Sequence, residues 1–151
     1  MNTEFDDLYK QVILDHNKSP RNFGVLQEYS HHAEGHNPLC GDEVNITLVL
    51  KDGVIEDLKF AGTGCAISKA SASIMTTMVK GKTVEEAKEL FDEFHEIVTK
   101  DPDAEIAADE VGKLVVFSGV REYPSRIKCA SLPWHTLLNA INNEEAKAIT
   151  V

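Results

Sequence analysis

The sequence predicts an α+β fold, a small antiparallel sheet of about three strands with helices packed on one face. Three observations lead there. Alternating apolar residues flank a tight-turn signal between residues 44 and 60. Apolar residues recur at helical spacing on both sides of that region. The order is helix, strands, then helices, which segregates the two kinds of element.

From Thr3 to His16, Phe5, Leu8, Val12 and Ile13 recur at helical spacing, with acids in the first turn. Ser19-Pro20-Arg21-Asn22-Phe23-Gly24 ends that helix, because Pro20 removes a backbone donor and Gly24 supplies turn freedom. A polar stretch with His31, His32 and His36 reads as loop and runs to Asn37-Pro38-Leu39-Cys40-Gly41-Asp42. Val44, Ile46, Leu48 and Leu50 then alternate with more polar neighbours, as in a half-buried strand. Lys51-Asp52-Gly53 is a hairpin turn, since Asp-Gly accepts positive φ. Val54 to Phe60 is the return strand, with Leu58 and Phe60 on one face.

Ala61-Gly62-Thr63-Gly64 ends that strand, and Cys65 opens a helix of small residues reaching Val79. Ile67, Ala70, Ile74, Met75 and Met78 lie on one side of it, so both methionines read as core. After Gly81, Thr83-Val84-Glu85-Glu86 fits a capping box, in which Thr83 and Glu86 satisfy each other's backbone donors. Val84, Ala87, Leu90, Phe91, Phe94 and Val98 form the apolar face of this next helix. Residues 101–113 are polar and acidic and read as a solvated loop. A short apolar patch, Leu114 to Phe117, leads to Gly119, Pro124 and Cys129. Trp134, Leu137, Leu138 and Ile141 point to a closing helix. It is expected to begin only just before Pro133, because a proline inside a helix costs about 3 kcal/mol. Neither repeats nor low-complexity tracts occur, and residues 1–151 are expected to form a single domain.

The bulk properties exclude several functions. A net charge of −10 and only 15 Lys and Arg, without a basic cluster, argue against nucleic acid. No apolar run approaches the roughly 20 residues that a membrane span needs. Acids occupy the N-terminal stretch where a signal peptide carries basic residues. A soluble, cytoplasmic protein is expected, with no membrane partner.

Three cysteines are an odd number in a chain with no export signal, so metal binding, catalysis or packing is expected before a disulfide framework. Each falls at a junction between elements, where a packing cysteine more often takes a periodic apolar position. Cys40 lies in a Pro/Gly turn ahead of a strand, Cys65 follows Gly62 and Gly64 at a helix start, and Cys129 follows Arg126 and Lys128. Helix N-termini and neighbouring cations favour the thiolate, which is both metal ligand and sulfur nucleophile. Asp42, two residues after Cys40, is the natural fourth ligand beside three thiolates. It also reads as an ordinary turn carboxylate. No Cys-x-x-Cys pair occurs, so the spacing is not that of a zinc finger.

The wording around the cysteines is more specific. Asn37-Pro38-Leu39-Cys40-Gly41-Asp42, Gly62-Thr63-Gly64-Cys65-Ala66-Ile67-Ser68-Lys69-Ala70-Ser71-Ala72-Ser73 and Arg126-Ile127-Lys128-Cys129-Ala130 closely resemble the IscU/SufU/NifU-type family. So do Leu8-Tyr9, Val12, His16 and Pro20-Arg21-Asn22-x-Gly24, which extends the likeness from about residue 5 to about residue 142. The resemblance implies a SufE/NifU-like α+β domain with its cysteines at one exposed end. It implies Cys40, Asp42, Cys65 and Cys129 as ligands of a transient [2Fe–2S] cluster or Zn²⁺. It also implies sulfur received from a cysteine desulfurase of the SufS or IscS type, and apo iron–sulfur proteins as recipients.

Within the family, IscU-type scaffolds usually place His immediately before the last cysteine, with a chaperone-recognition Leu-Pro-Pro-Val-Lys just upstream. Here Lys128 stands in the His position, Ser125-Arg126-Ile127 is not that motif, and the stretch from Cys65 to Cys129 is longer. These departures resemble SufU, whose members hold zinc with three Cys and one Asp and accept persulfide sulfur. They count against an Hsp70-type chaperone partner.

The expected role is an iron–sulfur assembly scaffold or sulfur acceptor, a scaffold rather than a classical enzyme, with sulfurtransferase activity left open. The alternatives are a zinc-dependent sulfurtransferase that relays sulfur without holding a cluster and, behind it, a structural zinc protein. Cys40 is the expected first sulfur acceptor because its turn lets it swing, with Cys129 as runner-up. Lys128 either tunes the neighbouring thiolate or is a solvated side chain; Arg126 is either a desulfurase contact or half of a local salt bridge. His31, His32 and His36 read as solvent-exposed, and His135 as surface or packing. Monomer and homo-oligomer both stay open.

Overall fold

In a computed structural model of the chain, residues 3–38, 41–100, 112–121, 123–142 and 148–149 are described. The elements run α1 (Thr3–Lys18), β1 (His31–Asn37), β2 (Asp42–Lys51), β3 (Val54–Thr63), α2 (Ala66–Val79) and α3 (Val84–Thr99). A 3-10 segment (Gly112–Val120), α4 (Pro124–Ile141) and β4 (Ala148–Ile149) follow. Residues 101–111, Cys40 and the side chains of residues 3–8 lie outside the described residues.

The α+β expectation holds. Strands β1, β2 and β3 form an antiparallel sheet in the order β3-β2-β1, and the two-residue β4 pairs parallel to the outer edge of β1. Asp52 and Gly53 make the β2–β3 turn with φ of 54° and 77°, as the Asp-Gly pair requires. The Thr83–Glu86 capping box is present, with Glu86 N–H donating to Thr83 Oγ1 and Thr83 N–H to Glu86 Oε1, each at 3.1 Å. Helices α2 and α4 lie against the sheet, α1 packs on α2, and α3 packs on the 3-10 segment and α4.

Two expectations are corrected. His31 to Asn37 is a strand, not a loop, and its histidines are half-buried. Its inward positions are Ala33, Gly35 and Asn37, all buried, so the alternation carries no hydrophobic signal. The small inward residues admit α4. A Cβ at Gly35 would overlap Thr136 Oγ1 and sit 3.0 Å from Leu132 Cδ1.

The second correction concerns α4, which starts at Pro124 and carries Pro133 in its interior. Pro124 suits the first helical position, where a missing N–H costs nothing. Pro133 does forgo a helix bond, yet its ring is buried beside Leu132, Trp134 and Leu137. Packing of this whole face overrides the local penalty, as tertiary context commonly does. Trp134 stacks on Phe94 with ring centroids 4.8 Å apart, and Phe117 meets Phe94 edge-on at 5.0 Å. Leu114, Phe117 and Val120 are all buried and repeat every third residue, the period of the 3-10 turn that presents them.

Polar bonds along α1 and the following turn set the position of α2. His16 Nδ1 is 2.7 Å from Ser73 Oγ, which also accepts the Arg21 backbone N–H at 2.8 Å. Asn22, at φ 56°, donates from its side chain to Thr76 Oγ1 at 3.1 Å. Asn17 Nδ2 reaches the carbonyl of Ala66, the first residue of α2, at 2.7 Å. The N-terminal segment thereby clamps the helix whose start carries Cys65.

Candidate metal centre

The β2–β3 register sets Glu43 opposite Thr63 and Val44 opposite Gly62, so the start of β2 lies beside the end of β3. Asp42, at the first position of β2, therefore meets the Gly64-Cys65 junction. The approach is close enough to demand glycine: a Cβ at Gly64 would stand 2.5 Å from Asp42 Oδ1. The Cys65 backbone N–H donates to Asp42 Oδ1 at 2.7 Å. Cys65 is the N-cap of α2, its sulfur accepting the Ser68 N–H at 3.5 Å. The same sulfur lies 3.9 Å from Asp42 Oδ2.

Cys129 comes from α4, facing inward and buried. Ser71 of α2 donates to the Ala130 carbonyl at 2.6 Å, binding the two helices one residue from this cysteine. One donor atom each from Asp42, Cys65 and Cys129 lies within 4.8 Å of the other two. Neither thiol is in a disulfide. Asn37 ends β1 directly opposite Asp42. Its Nδ2 lies 3.4 Å from Asp42 Oδ2 and 3.7 Å from Cys129 Sγ.

The donor set fits a thiophilic ion. Zinc bonds of about 2.3 Å to sulfur and about 2.0 Å to oxygen put tetrahedral donors about 3.5–3.8 Å apart. The 3.9 Å between Cys65 Sγ and Asp42 Oδ2 is close to that spacing. Two sulfurs and a carboxylate suit zinc or iron, and leave a tetrahedral ion one position short among the described residues.

Asp42 and Cys129 are buried and Cys65 is half-exposed, so the cluster opens to solvent mainly on the Cys65 side. Tyr9, which lies near Cys65, is grouped with Tyr123 and Arg126. The Arg126 guanidinium lies near the Tyr9 hydroxyl. Burial pushes the Tyr9 phenol up from its ordinary value, with the guanidinium pulling the other way. Arg126 also lies over the exposed Tyr123 ring at 4.3 Å, so its contacts are aromatic, not a salt bridge, among the described residues. The Tyr9 ring packs against Gly119, where a Cβ would come within 2.8 Å.

Of the residues the sequence singled out, the structure brings Asp42, Cys65 and Cys129 together, with Lys128 half-buried one position before Cys129. Cys40 lies outside the described residues. His135 packs edge-on to Phe91 at 5.1 Å, in a packing role as expected. Burial and the neighbouring His95 lower its pKa. Met75 is in the core, and Met78 packs against it. Sequence reasoning passed over Tyr9 and Asn37 as site residues. A strand assignment for residues 31–37 would have turned Asn37 inward beside Asp42, and that was the missing signal.

Fold and site together define a small α+β fold with a candidate cysteine–aspartate metal centre where the sheet meets α2 and α4. The chain matches the NifU-like N terminal domain over residues 8–130 and belongs to that family. It is 43% identical over 145 residues to the zinc-dependent sulfurtransferase SufU of Bacillus subtilis, covering 95% of this chain and 96% of that one. It is 40% identical over 139 residues to the iron–sulfur cluster assembly scaffold protein IscU of Streptococcus pyogenes, covering 92% and 86%. A crystal structure of a putative iron–sulfur cluster assembly scaffold protein for the SUF system from Fervidobacterium islandicum superposes with a TM-score of 0.78. That protein is 35% identical, with 86% of this chain and 93% of the other covered. No helix among the described residues is long and apolar enough to cross a membrane.

Proposed function

We propose that this protein is a sulfur acceptor in iron–sulfur cluster assembly, taking persulfide sulfur from a cysteine desulfurase at a zinc-holding site. The ligands are Cys40, Asp42, Cys65 and Cys129. The observation that carries the reading is the convergence of Asp42, Cys65 and Cys129 donor atoms within 4.8 Å of one another. Cys40, two residues before Asp42 in the chain, completes the set. The sequence departures at Lys128 and Ser125-Arg126-Ile127 favour the zinc-dependent form.

Zinc, when bound, keeps its sulfur ligands deprotonated. The Cys40 thiolate attacks the outer sulfur of the desulfurase persulfide. A new sulfur–sulfur bond forms on Cys40, the desulfurase sulfur–sulfur bond breaks, and the desulfurase cysteine leaves as a thiolate. The exchange consumes no oxidant or reductant. Asp42 holds the start of α2 through the Cys65 N–H, and Cys129 stays anchored in α4. Arg126, with Tyr9 and Tyr123, offers a cation for docking the desulfurase, and Lys128 tunes the adjacent thiolate. Apo iron–sulfur proteins are the eventual recipients, and the cytoplasm is the compartment.

The same donors suit an iron–sulfur cluster as cargo, and the likeness to a scaffold at 40% identity favours that as the second reading. Protein purified without oxygen separates the two. The sulfurtransferase reading predicts about one zinc per chain, no visible cluster absorption, and faster desulfurase turnover. The scaffold reading predicts uptake of iron and sulfide and delivery of an intact cluster to an apo-protein. A protein that does neither, with zinc bound and its thiols inert to alkylation, has a purely structural site.

A further inference from the structure

We infer that Asn37 is a positioning residue of the metal centre, whose side-chain amide holds Asp42 and Cys129 in place and draws electron density from the Cys129 sulfur. The inference rests on the metal-site reading above. Asn37 is fully buried at an inward position of β1, where its strand neighbours Ala33 and Gly35 face α4. A core position of this kind has no use for an amide unless the amide has polar partners, because an unsatisfied buried polar group is costly.

The described contacts of its Nδ2 are two of the proposed ligands, Asp42 Oδ2 at 3.4 Å and Cys129 Sγ at 3.7 Å. A carboxylate accepts and cannot donate, and a metal-binding sulfur is a thiolate, so the nitrogen end of the amide faces them. Its two N–H bonds allow one group to serve both. The backbone contributes as well: the Asn37 carbonyl accepts the Gly41 N–H at 2.9 Å, closing the connection in which Cys40 lies. One residue thus touches the carboxylate ligand, the sulfur ligand of α4 and the turn between β1 and β2.

The two described sulfurs are treated differently. Cys65 receives a backbone N–H from its own helix, at 3.5 Å. Cys129 receives a side-chain N–H from another element, which a mutation can remove. A hydrogen bond to a metal-bound thiolate lowers its nucleophilicity, while outer-shell partners that fix the orientation of ligands typically govern 10- to 100-fold in metal affinity, so loss of positioning sets the sign of the affinity change. Asn37 therefore keeps Cys129 as a held ligand and leaves sulfur acceptance to another cysteine.

The test uses the full chain and Asn37→Leu, which fills nearly the same space without a donor. Zinc affinity is measured by chelator competition, the sulfur-to-metal charge-transfer band on cobalt-loaded protein, and Cys129 alkylation on zinc-loaded protein by mass mapping. For Asn37→Leu we expect zinc affinity down about 10- to 100-fold, the cobalt band at longer wavelength, and faster Cys129 alkylation. A merely structural role would lower the melting temperature of the metal-free protein and leave the band in place, which overturns the inference. Parent-like affinity, band and alkylation overturn it as well. Asn37→Ala, which adds no bulk, carries the same expectations if the leucine variant does not fold. If the parent binds neither zinc nor cobalt, the metal-site reading itself falls and takes the inference with it.

Discussion

Cys65 and Asp42 are joined twice: the Cys65 N–H donates to Asp42 Oδ1 at 2.7 Å, and the Cys65 sulfur lies 3.9 Å from Asp42 Oδ2. One carboxylate oxygen thus caps the strand-to-helix junction, while the other faces the sulfur that would share its metal. Structure and ligation are separable at this residue.

Asp42→Asn keeps an oxygen for the Cys65 N–H but loses the anionic donor. In the metal-free protein it is expected to lose less melting temperature than Asp42→Ala, since only the Asn37 amide loses its acceptor at Oδ2, and to bind zinc at least about 100-fold more weakly, beyond what an outer-shell change produces. Asp42→Ala is expected to lose both, because the partly buried Cys65 N–H is left without its acceptor, at a cost of about 1 kcal/mol or more. Thermal unfolding of metal-free protein and zinc competition check the pair.

Thr83→Ala removes one arm of the capping box at the start of α3 and touches nothing in the metal centre. The expected cost is about 1 kcal/mol, or roughly 2–4 °C in melting temperature for a chain of this size. Zinc content should be unchanged. Thermal denaturation and metal analysis on the same preparation test both halves.

This box, the Asp52-Gly53 turn and the start of α2 at Cys65 were all legible in the sequence, because each is fixed by chemistry among residues a few positions apart. The grouping of Asp42, Cys65 and Cys129 was legible through the local wording around each cysteine. Strand β1 was not legible: its inward residues are Ala33, Gly35 and Asn37, chosen by the approach of α4 and by polar partners. The true start of α4 was hidden by Pro133, whose local penalty is outweighed by the burial of Leu132, Trp134 and Leu137. Asn37 went unread for the same reason as its strand.

Gly35→Ala tests that close approach. The new Cβ would overlap Thr136 Oγ1, and overpacking of this sort costs about 1–3 kcal/mol. Combining it with Thr136→Ala removes the overlapping oxygen, so the double variant should be more stable than the two single effects summed. Denaturant unfolding of all four proteins gives the coupling directly.

Acid stability should carry a signature of His135, half-buried against Phe91. Its folded pKa lies below the ordinary 6.5, first through burial and then through His95. The unfolded chain therefore binds the proton more readily, and this contribution is complete above about pH 6.5 and lost as pH falls toward the folded value. In metal-free protein, His135→Gln is expected to flatten the fall in stability below about pH 6.5. An unchanged slope in denaturant titrations at several pH values would count against this.

Sulfur acceptance at the cysteine–aspartate centre is tested most directly by trapping. The protein is mixed without oxygen with a cysteine desulfurase and L-cysteine, alkylated, and mapped by mass spectrometry. The account predicts a persulfide on Cys40 in the parent and its loss in Cys40→Ala, with zinc-dependent stimulation of the desulfurase lost alongside. A Cys40→Ala protein that accepts sulfur as well as the parent, or a parent in which Cys40, Cys65 and Cys129 all stay unmodified, would contradict it.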